Sequence, residues 1–239
     1  LGANLNKVVE RDTDSPSSVM ATVMGLTREA DELIYPLLKL LINHGGDSRV
    51  SVECYGAQGG YLYRMVKQGI EIELKPNYIG LDGETDVTRE LTDLWFENIS
   101  IDEILASLIM LKDSGADFNI PNRDGDYPIN KAIRKILDDS CQESLYENED
   151  ALSIIQFLLK SGSDSAVENS DKQTVLMQAI PKHRASSSTK KGINYTKRII
   201  SLLIDNGASI YQESSNGKTV FDTISEERLP IKRWLKQYQ

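Results

Sequence analysis

The chain has 239 residues, of which 40% are hydrophobic and 26% are charged, the balance of an ordinary globular protein. Its apolar runs are shorter than the roughly 18 residues of a membrane helix, so we predict no membrane insertion. The formal net charge of −9 argues against a nucleic acid as the main partner, because its phosphates would be repelled. Two cysteines cannot build a disulfide framework, so we expect a reducing compartment, cytoplasmic or nuclear.

An apolar run that ends in Gly, followed by a small and then a polar residue, recurs along the chain. Complete copies reach their Gly at Gly45, Gly115, Gly162 and Gly207, a weaker copy at Gly69, and residues 2–4 are the tail of another. A terminal Gly uses its freedom at positive φ to close the C-terminus of a helix. The phrase therefore predicts the end of a helix at each of these positions.

A second phrase, a turn followed by Thr or Tyr, comes after each of the last three copies. It reaches Tyr127, Thr174 and Thr219, and each of these lies 12 residues after the Gly that ends the preceding helix. Asp-Gly and Asn-Gly favour a tight turn, and Thr favours the start of a helix. A linker of constant length predicts stacked repeats, since a change in its length would shift the neighbouring units.

These residues resemble the ankyrin repeat family. The matching phrases are 124–129 with Ala132, 174–176 with Ala179, and the helix-ending Gly phrase. The resemblance implies an all-α fold, an α-solenoid of ankyrin-type helix-turn-helix repeats with short extended linkers.

The resemblance also implies the domain organisation. It covers nearly the whole chain, strongly from about Asp82 onward and weakly between residues 48 and 80. We expect one array over residues 1–239 with about five to six units, as the resemblance implies. Residues 48–80 would form an irregular short unit, and residues 228–239 a C-terminal capping helix with Trp234 half-buried.

The chain departs from the family in repeat length. A family repeat takes about 33 residues, which leaves roughly 21 from its Thr to its final Gly. The same distance here is 30 from Thr85 to Gly115, 35 from Tyr127 to Gly162 and 33 from Thr174 to Gly207. Each repeat therefore carries about 9 to 14 extra residues between its helices. In addition, Glu90 stands where the family has Ala, so the packing of that first helix is in question.

The apolar pattern places two helices in each repeat. First helices are predicted near residues 17–27, 87–97, 128–138, 175–182 and 220–227. Second helices are predicted near residues 33–43, 61–67, 101–114, 151–160 and 195–206. The second helices from 151 and from 195 each carry a broad apolar face, as burial against neighbouring helices requires.

Candidate catalytic and metal-binding residues are few and far apart. The two histidines, His44 and His183, and the two cysteines, Cys54 and Cys141, lack the spacing of a metal site. No nucleophile has a base suggested near it on a rigid element. We expect His44 to face the last carbonyls of its helix. The sequence predicts no catalytic residue, no cofactor and no metal, and therefore no enzyme activity in this chain.

Two segments between helices carry opposite charge. Acidic residues crowd residues 138–150, and basic residues, with Lys190, Lys191 and Lys197 among them, crowd residues 182–198. Adjacent repeats place equivalent loops side by side. Two interpretations stay open: separately solvated loops, whose surface pairs contribute little energy, or a bipolar edge that steers a charged partner.

The resemblance also implies a binding surface. Partners of the family usually dock on a concave face formed by the linker tips and the first helices. The corresponding tips are residues 75–81, 118–123, 166–170 and 211–215. The predicted protein-binding residues are Tyr78, Trp95, Asn122, Arg123, Glu168, Tyr211 and Glu213. Tyr and Arg are favoured anchors in protein interfaces, whereas Trp95 has an alternative place in the core beside Leu91 and Leu94.

The leading hypothesis is a protein–protein recognition module that is monomeric and binds a partner protein. Its repeat divergence resembles ankyrin modules in effectors of intracellular bacteria, which implies secretion into a host cell and a host protein as partner. The alternative is the targeting arm of a larger enzyme whose catalytic domain lies N-terminal, because the chain begins inside a repeat. A third possibility, a tetratricopeptide or HEAT array, would lack the 12-residue linker and the Asp-Gly-x-Thr turn.

Overall fold

A computed structural model of the chain describes most of its helical segments. The described residues are 31–45, 61–70, 74, 76–80, 83–92, 100–137, 149–180, 190–224 and 229–239. The chain divides into two compact units, the first made of residues 1–93 and 102–117 and the second of residues 94–101 and 118–239.

The helices alternate with extended linkers. The first unit contains α1 (Asp31–Asn43), α2 (Tyr61–Lys67), α3 (Asp86–Glu90) and, from Asp102 onward, α4 (Ile101–Asp113). The second unit contains α5 (Pro128–Leu137), α6 (Glu149–Lys160), α7 (Val175–Gln178), α8 (Lys190–Asp205), α9 (Val220–Thr223) and α10 (Leu229–Leu235), which continues as a 3-10 turn over Lys236–Tyr238. Among the described residues, the extended backbone pairs only as an isolated bridge between Glu168 and Thr174.

The second helices lie near the predicted residues, but three first helices are shorter than predicted. Helix α3 ends at Glu90, whereas the predicted helix extends to residue 97. Helix α7 ends at Gln178, because Ile180 precedes Pro181 and the residue before a proline is disfavoured in helical backbone. Helix α9 ends at Thr223, after which Ile224 is extended with ψ of 109°. The predicted helix over residues 17–27 lies outside the described residues.

The basic segment between α7 and α8 is shorter than the sequence analysis expects. Helix α8 begins at Lys190, five residues before the predicted start, so Lys190 and Lys191 are helical rather than part of a loop, and Lys197 lies within the predicted helical range. Likewise, residues 149 and 150 of the acidic segment form the first turn of α6. The apolar pattern marks only the buried part of a helix, and it therefore missed the polar first turns.

A glycine closes each second helix in the way that the sequence predicts. In the second unit Gly162 and Gly207 have φ of 93° and 98°. The N–H of Gly207 donates to the Ile204 carbonyl at 3.0 Å, and the N–H of Ala208 donates to the Leu203 carbonyl at 3.0 Å. This pair of bonds is a Schellman motif, which satisfies the last carbonyls of the helix. In the first unit, the imidazole Nδ1 of His44 lies 2.9 Å from the Leu40 carbonyl oxygen, as predicted.

Buried apolar side chains hold the helices of the second unit together. Helix α5 packs against α6 and α7, while α8 contacts α6, α7 and α10. The core side chains with no exposed surface include Ile133, Ile136, Ile154, Ile155, Leu158, Val175, Ile199, Ile200 and Leu203. The predicted apolar faces of α6 and α8 are therefore the buried ones.

In the first unit, Glu90 takes a role that the family's alanine could not. Its side chain is fully buried, and its Oε1 accepts a hydrogen bond from the N–H of Leu62 at 3.3 Å. The next N–H of α2, that of Tyr63, donates to Ser107 Oγ at 3.0 Å. The first N–H groups of a helix have no partner within it. Glu90 and Ser107 supply those partners from α3 and α4, so the departure from Ala joins α3 to α2, and Ser107 joins α4 to α2.

A threonine starts each short first helix. Thr85 and Thr88 form a reciprocal capping box at α3, and the Thr174 hydroxyl accepts from the N–H of Met177 at α7. At α9 both the N–H and the hydroxyl of Thr219 donate to Asp222 Oδ2, each at 2.8 Å. The Asp222 carboxylate thus satisfies a backbone donor at the start of the helix.

These bonds predict the titration of Asp222. The backbone hydrogen bond from Thr219 and then its hydroxyl bond hold the pKa of this carboxyl below the ordinary value of 3.8. A carboxyl whose pKa is lowered on folding stabilises the fold fully above the unfolded pKa, and this stabilisation disappears as pH falls through the folded pKa. Carbon-13 NMR titration of Asp222 should show a pKa below 3.8.

The variant Thr219→Val removes the hydroxyl donor and keeps the backbone donor. We expect it to raise the pKa of Asp222 part of the way towards the ordinary value, because only the smaller of the two effects is lost. A wild-type pKa at or above 3.8 would contradict this account of the cap.

Candidate protein-interaction surface

Each first helix is preceded by a turn with the same hydrogen bonds, and we number these turns 1 to 4 by their first residues. The first residues are Gly80, Asn122, Asn169 and Ser214. In turn 2, Asn122 N–H donates to the Asp126 carbonyl at 2.9 Å, and its carbonyl accepts from Gly125 N–H at 3.0 Å. The same two bonds occur in the other three turns. Turn 1 belongs to the first unit, and turns 2, 3 and 4 belong to the second.

The linker that contains turn 1 is longer than the other three. From Gly69 to Thr85 there are 16 residues, rather than 12. Asn77 lies eight residues before Thr85, and Asn119 likewise lies eight residues before Tyr127. The additional residues of the first linker therefore lie between Gly69 and Asn77. The segment from the asparagine to the threonine or tyrosine therefore has a constant length. The four extra residues precede this segment in the sequence.

Asparagine side chains shape turns 2 and 3 from inside. The Oδ1 of Asn122 accepts from the N–H groups of Asp124 and Asp126 at 3.1 and 2.9 Å. The Oδ1 of Asn169 accepts from the N–H groups of Asp171 and Gln173 at 3.0 and 2.9 Å. Both asparagines are buried. Short polar side chains that bond the backbone two residues ahead are typical of turns, so Asn122 supports the turn instead of presenting a side chain to a partner.

Turn 3 carries a lysine where the other turns carry glycine. The fourth residue of each turn has positive φ: 84° at Gly83 and Gly125, 67° at Gly217, and 59° at Lys172. A side chain in the left-handed region costs roughly 1 kcal/mol. Lys172 is exposed at the tip of turn 3, next to the equally exposed Asp171.

Asparagine side chains also connect a linker to the C-terminal end of the second helix that follows it in the sequence. In the second unit, Asn119 Nδ2 donates to the Gly162 carbonyl at 2.8 Å, and its Oδ1 accepts from the Asp164 N–H at 2.7 Å. In the first unit, Asn77 makes the same pair of bonds, at 3.1 Å to the Gly115 carbonyl and 2.7 Å from the Asp117 N–H. We call Asn77 and Asn119 the bridging asparagines. Each fixes the distance between two successive linkers.

Turns 3 and 4 are joined differently, because the bridging position of that linker is Ala166. The Ala166 carbonyl accepts from Gln212 Nε2. The two carboxylate oxygens of Glu168 accept from the N–H and the hydroxyl of Ser215, each at 2.6 Å. Glu168 therefore already bonds its neighbouring turn.

The predicted binding residues separate into distinct groups. Tyr78 is 49% exposed just before turn 1 in the first unit. On the second unit, Tyr211 is 60% exposed, and Arg123 and Glu213 are exposed as well. Asn122 is buried and Glu168 is half-buried. Trp95 lies outside the described residues.

Sequence reasoning missed two exposed residues beside the predicted ones. Lys172 lies on turn 3, and its position, equivalent to a glycine in its neighbours, is visible in the sequence. Ile79 is 38% exposed next to Tyr78 in the first unit, so two large exposed side chains lie side by side there. On turns 2 and 3 the exposed charges alternate in sign, with Arg123 beside Asp124 and Asp171 beside Lys172.

The described residues contain no group of three or more His, Cys, Asp or Glu side chains arranged to hold a metal ion. In the described part of the chain, no helix combines the length and the apolar character needed to cross a bilayer.

The strain at turn 3 predicts that Lys172→Gly stabilises the protein. Glycine adopts positive φ without the side-chain cost, so the free energy of unfolding should rise by about 1 kcal/mol. Urea denaturation measures the change. The matched control Ser170→Gly, in the same turn at a residue without positive φ, should not stabilise, and equal stabilisation by both variants would contradict the assignment.

The bridging role of Asn119 predicts a graded loss of stability. Asn119→Ala removes both bonds and should lower the free energy of unfolding by about 1–3 kcal/mol. Asn119→Asp keeps the acceptor for the Asp164 N–H but places a carboxylate against the Gly162 carbonyl. Urea denaturation should detect losses for both variants, and an alanine variant as stable as the wild type would show that the bridge contributes nothing.

Comparison with known proteins identifies the architecture. No protein-family model matches the chain, and no curated protein matches its sequence. Among solved structures, it is similar to the ankyrin repeat domain of Bcl-3, described as a unique member of the IkappaB protein family. The two are 15% identical, with a TM-score of 0.54 over 98% of this chain and 85% of that one. The predicted all-α array of ankyrin-type repeats is confirmed: this chain has the ankyrin repeat fold.

Proposed function

We propose that this chain is a protein–protein recognition module whose partner binds turns 2 to 4 of the second unit. The single observation that carries the proposal is the 60% exposure of Tyr211 on a linker whose backbone is held by hydrogen bonds. An aromatic side chain costs little entropy to fix and offers a large apolar area, which is why Tyr is favoured at interface anchors.

The rigidity of these turns supports the same proposal. Turn 2 is closed by the bonds of Asn122, and Asp126 forms an ion pair with Arg134 at 2.5 Å. Glu168 joins turn 3 to Ser215 of turn 4. A surface that is already ordered loses less conformational entropy on binding than a mobile loop does.

The exposed charged side chains of turns 2 and 3, with Glu213 close to Tyr211 in the sequence, give the surface its selectivity. Arg123 and Lys172 offer cations, while Asp124, Asp171 and Glu213 offer carboxylates. A partner whose carboxylates face these cations and whose cations face these carboxylates is attracted, whereas a partner that places like charges opposite each other is repelled. Glu168 and Asn122 act as supports within the proposed surface, and Tyr78 is a proposed contact of the first unit.

The remaining expectations are part of the same proposal. We place the module in a reducing compartment as a monomer, with one array over residues 1–239. The enlarged segments between helices resemble those of bacterial effector modules, and on that resemblance the partner is a host protein. Nothing in this function requires a catalytic group, a cofactor or a metal.

The test removes the two anchors of the proposed surface together. A partner captured with this chain is first identified by mass spectrometry and then titrated against purified variants. Arg123→Glu with Tyr211→Ala should weaken the Kd at least about tenfold, which corresponds to roughly 1.4 kcal/mol. The melting temperature should stay unchanged, because both side chains are exposed.

A matched control makes the same kinds of change away from the turns. Lys160→Glu reverses an exposed charge in the last turn of α6, and Ile109→Ala shortens a side chain that is 47% exposed on α4. This control should keep the wild-type Kd. The proposal fails if the anchor variant binds as tightly as the control does.

A further inference from the structure

The positive charge of the chain is concentrated on two helices that pack against each other. Helix α8, together with α10 and its 3-10 extension, carries seven basic residues and one acidic residue, Asp205. These segments therefore hold a net charge of +6, and the rest of the chain holds −15. Helices α8 and α10 are in contact, so the basic residues of both belong to one region of the second unit.

The described basic side chains lie on the accessible side of this pair. Lys190, Arg198, Arg233 and Lys236 are exposed, and Lys197 and Lys232 are half-buried. Lys190 and Lys197 are seven residues apart, two turns of helix, and so share one stripe of α8. We call these six residues the C-terminal basic surface.

Aromatic rings lie between the cations. The Lys197 ammonium is 5.5 Å from the centre of the Trp234 ring, and Trp234 meets Tyr238 edge to face at 5.3 Å. The Tyr238 hydroxyl lies 3.2 Å from Ser201 Oγ on α8. Trp234 and Tyr238 are both half-buried, so part of each side chain stays open to a partner between the flanking cations.

Among the described residues, the Asp222 carboxylate interacts with this cluster at Lys232. Lys232 lowers the pKa of Asp222 on α9 by its charge, a smaller effect than the Thr219 hydrogen bonds. Its charge is therefore partly balanced within the protein. Arg233 and Lys236, on the next positions of α10, are the better sites for testing the surface.

We infer that the C-terminal basic surface binds an acidic segment of a partner protein, one that pairs carboxylates with the cations and places an apolar side chain against Trp234. This site lies on α8 and α10 rather than on turns 2 to 4, and the Tyr211 hydroxyl of the linker before turn 4 connects the two regions by donating to the Gln239 carbonyl at 3.4 Å. Carboxylates next to Lys and Arg form charge-assisted hydrogen bonds, and a half-open indole provides apolar area beside them.

A nucleic acid fits the same surface less well. A nucleic-acid strand carries regularly spaced phosphates over its whole length, beyond the two helices, and the remaining charge of −15 repels them. A short acidic peptide confines its charge to the basic surface, and repulsion from more distant carboxylates is screened beyond about 10 Å at 0.1 M salt.

Fluorescence of Trp234 tests the inference. In a Trp95→Phe background, Trp234 is the only tryptophan. The probe is a short synthetic peptide of Glu and Leu at helical spacing, titrated beside its Lys-for-Glu counterpart and a single-stranded oligothymidine. We expect only the acidic peptide, of the three probes, to change the Trp234 emission to a saturating value. Its affinity should fall as the salt concentration rises.

Charge reversal then assigns the effect to the surface. Arg233→Glu with Lys236→Glu should weaken peptide binding at least tenfold, while the control Lys112→Glu with Lys160→Glu, the same change in charge on α4 and α6, should leave it unchanged. If the reversal variant fails to fold by circular dichroism, Arg233→Gln with Lys236→Gln replaces it, with a smaller loss expected.

The outcomes separate this inference from the proposed function. Arg123→Glu, which leaves the Tyr211 bond to Gln239 in place, should bind the peptide as the wild type does, because turn 2 is not involved. No saturable change with the acidic peptide, equal affinity in the Arg233 and Lys236 variant, or binding of oligothymidine as tight as that of the peptide would each overturn the inference.

Discussion

The stacking of these repeats depends on polar bonds that a linker makes to the end of the following second helix. Asn119 satisfies one donor and one acceptor of the backbone at Gly162 and Asp164, and Asn77 does the same in the first unit. Apolar burial holds helices together, but it is not directional. Directional bonds at the linkers set the register in which the helices pack. That register also determines the positions of the adjacent turns.

The repeated elements could be predicted from the sequence because they are local. A glycine that ends a helix and a threonine that starts one act within a few residues, and the structure contains both at Gly162 and Thr174. The constant count between them follows from the identical hydrogen bonds of turns 2, 3 and 4. The buried faces of α6 and α8 were also predictable, since the helical spacing of their apolar residues identifies the buried side of each helix.

The features that were missed depend on contacts far apart in the sequence or on competing roles for one residue. Glu90 looked like a packing fault, yet it caps α2 from 28 residues away. Asn122 looked like a surface contact because it lies at a linker tip, but its side chain closes its own turn. A cluster such as Lys197 with Trp234 becomes visible only when α8 and α10 are brought together, so the sequence alone did not reveal it.

Native-state hydrogen exchange of the Asp117 and Asp164 amides tests the central claim most directly. Both residues are exposed, so burial alone cannot slow their exchange, and each N–H donates to the Oδ1 of a bridging asparagine. The account predicts strong protection of both amides, comparable to that of the adjacent helix ends. Exchange of both at the rate of an unstructured peptide would show that the asparagine bridges do not hold the linkers in register.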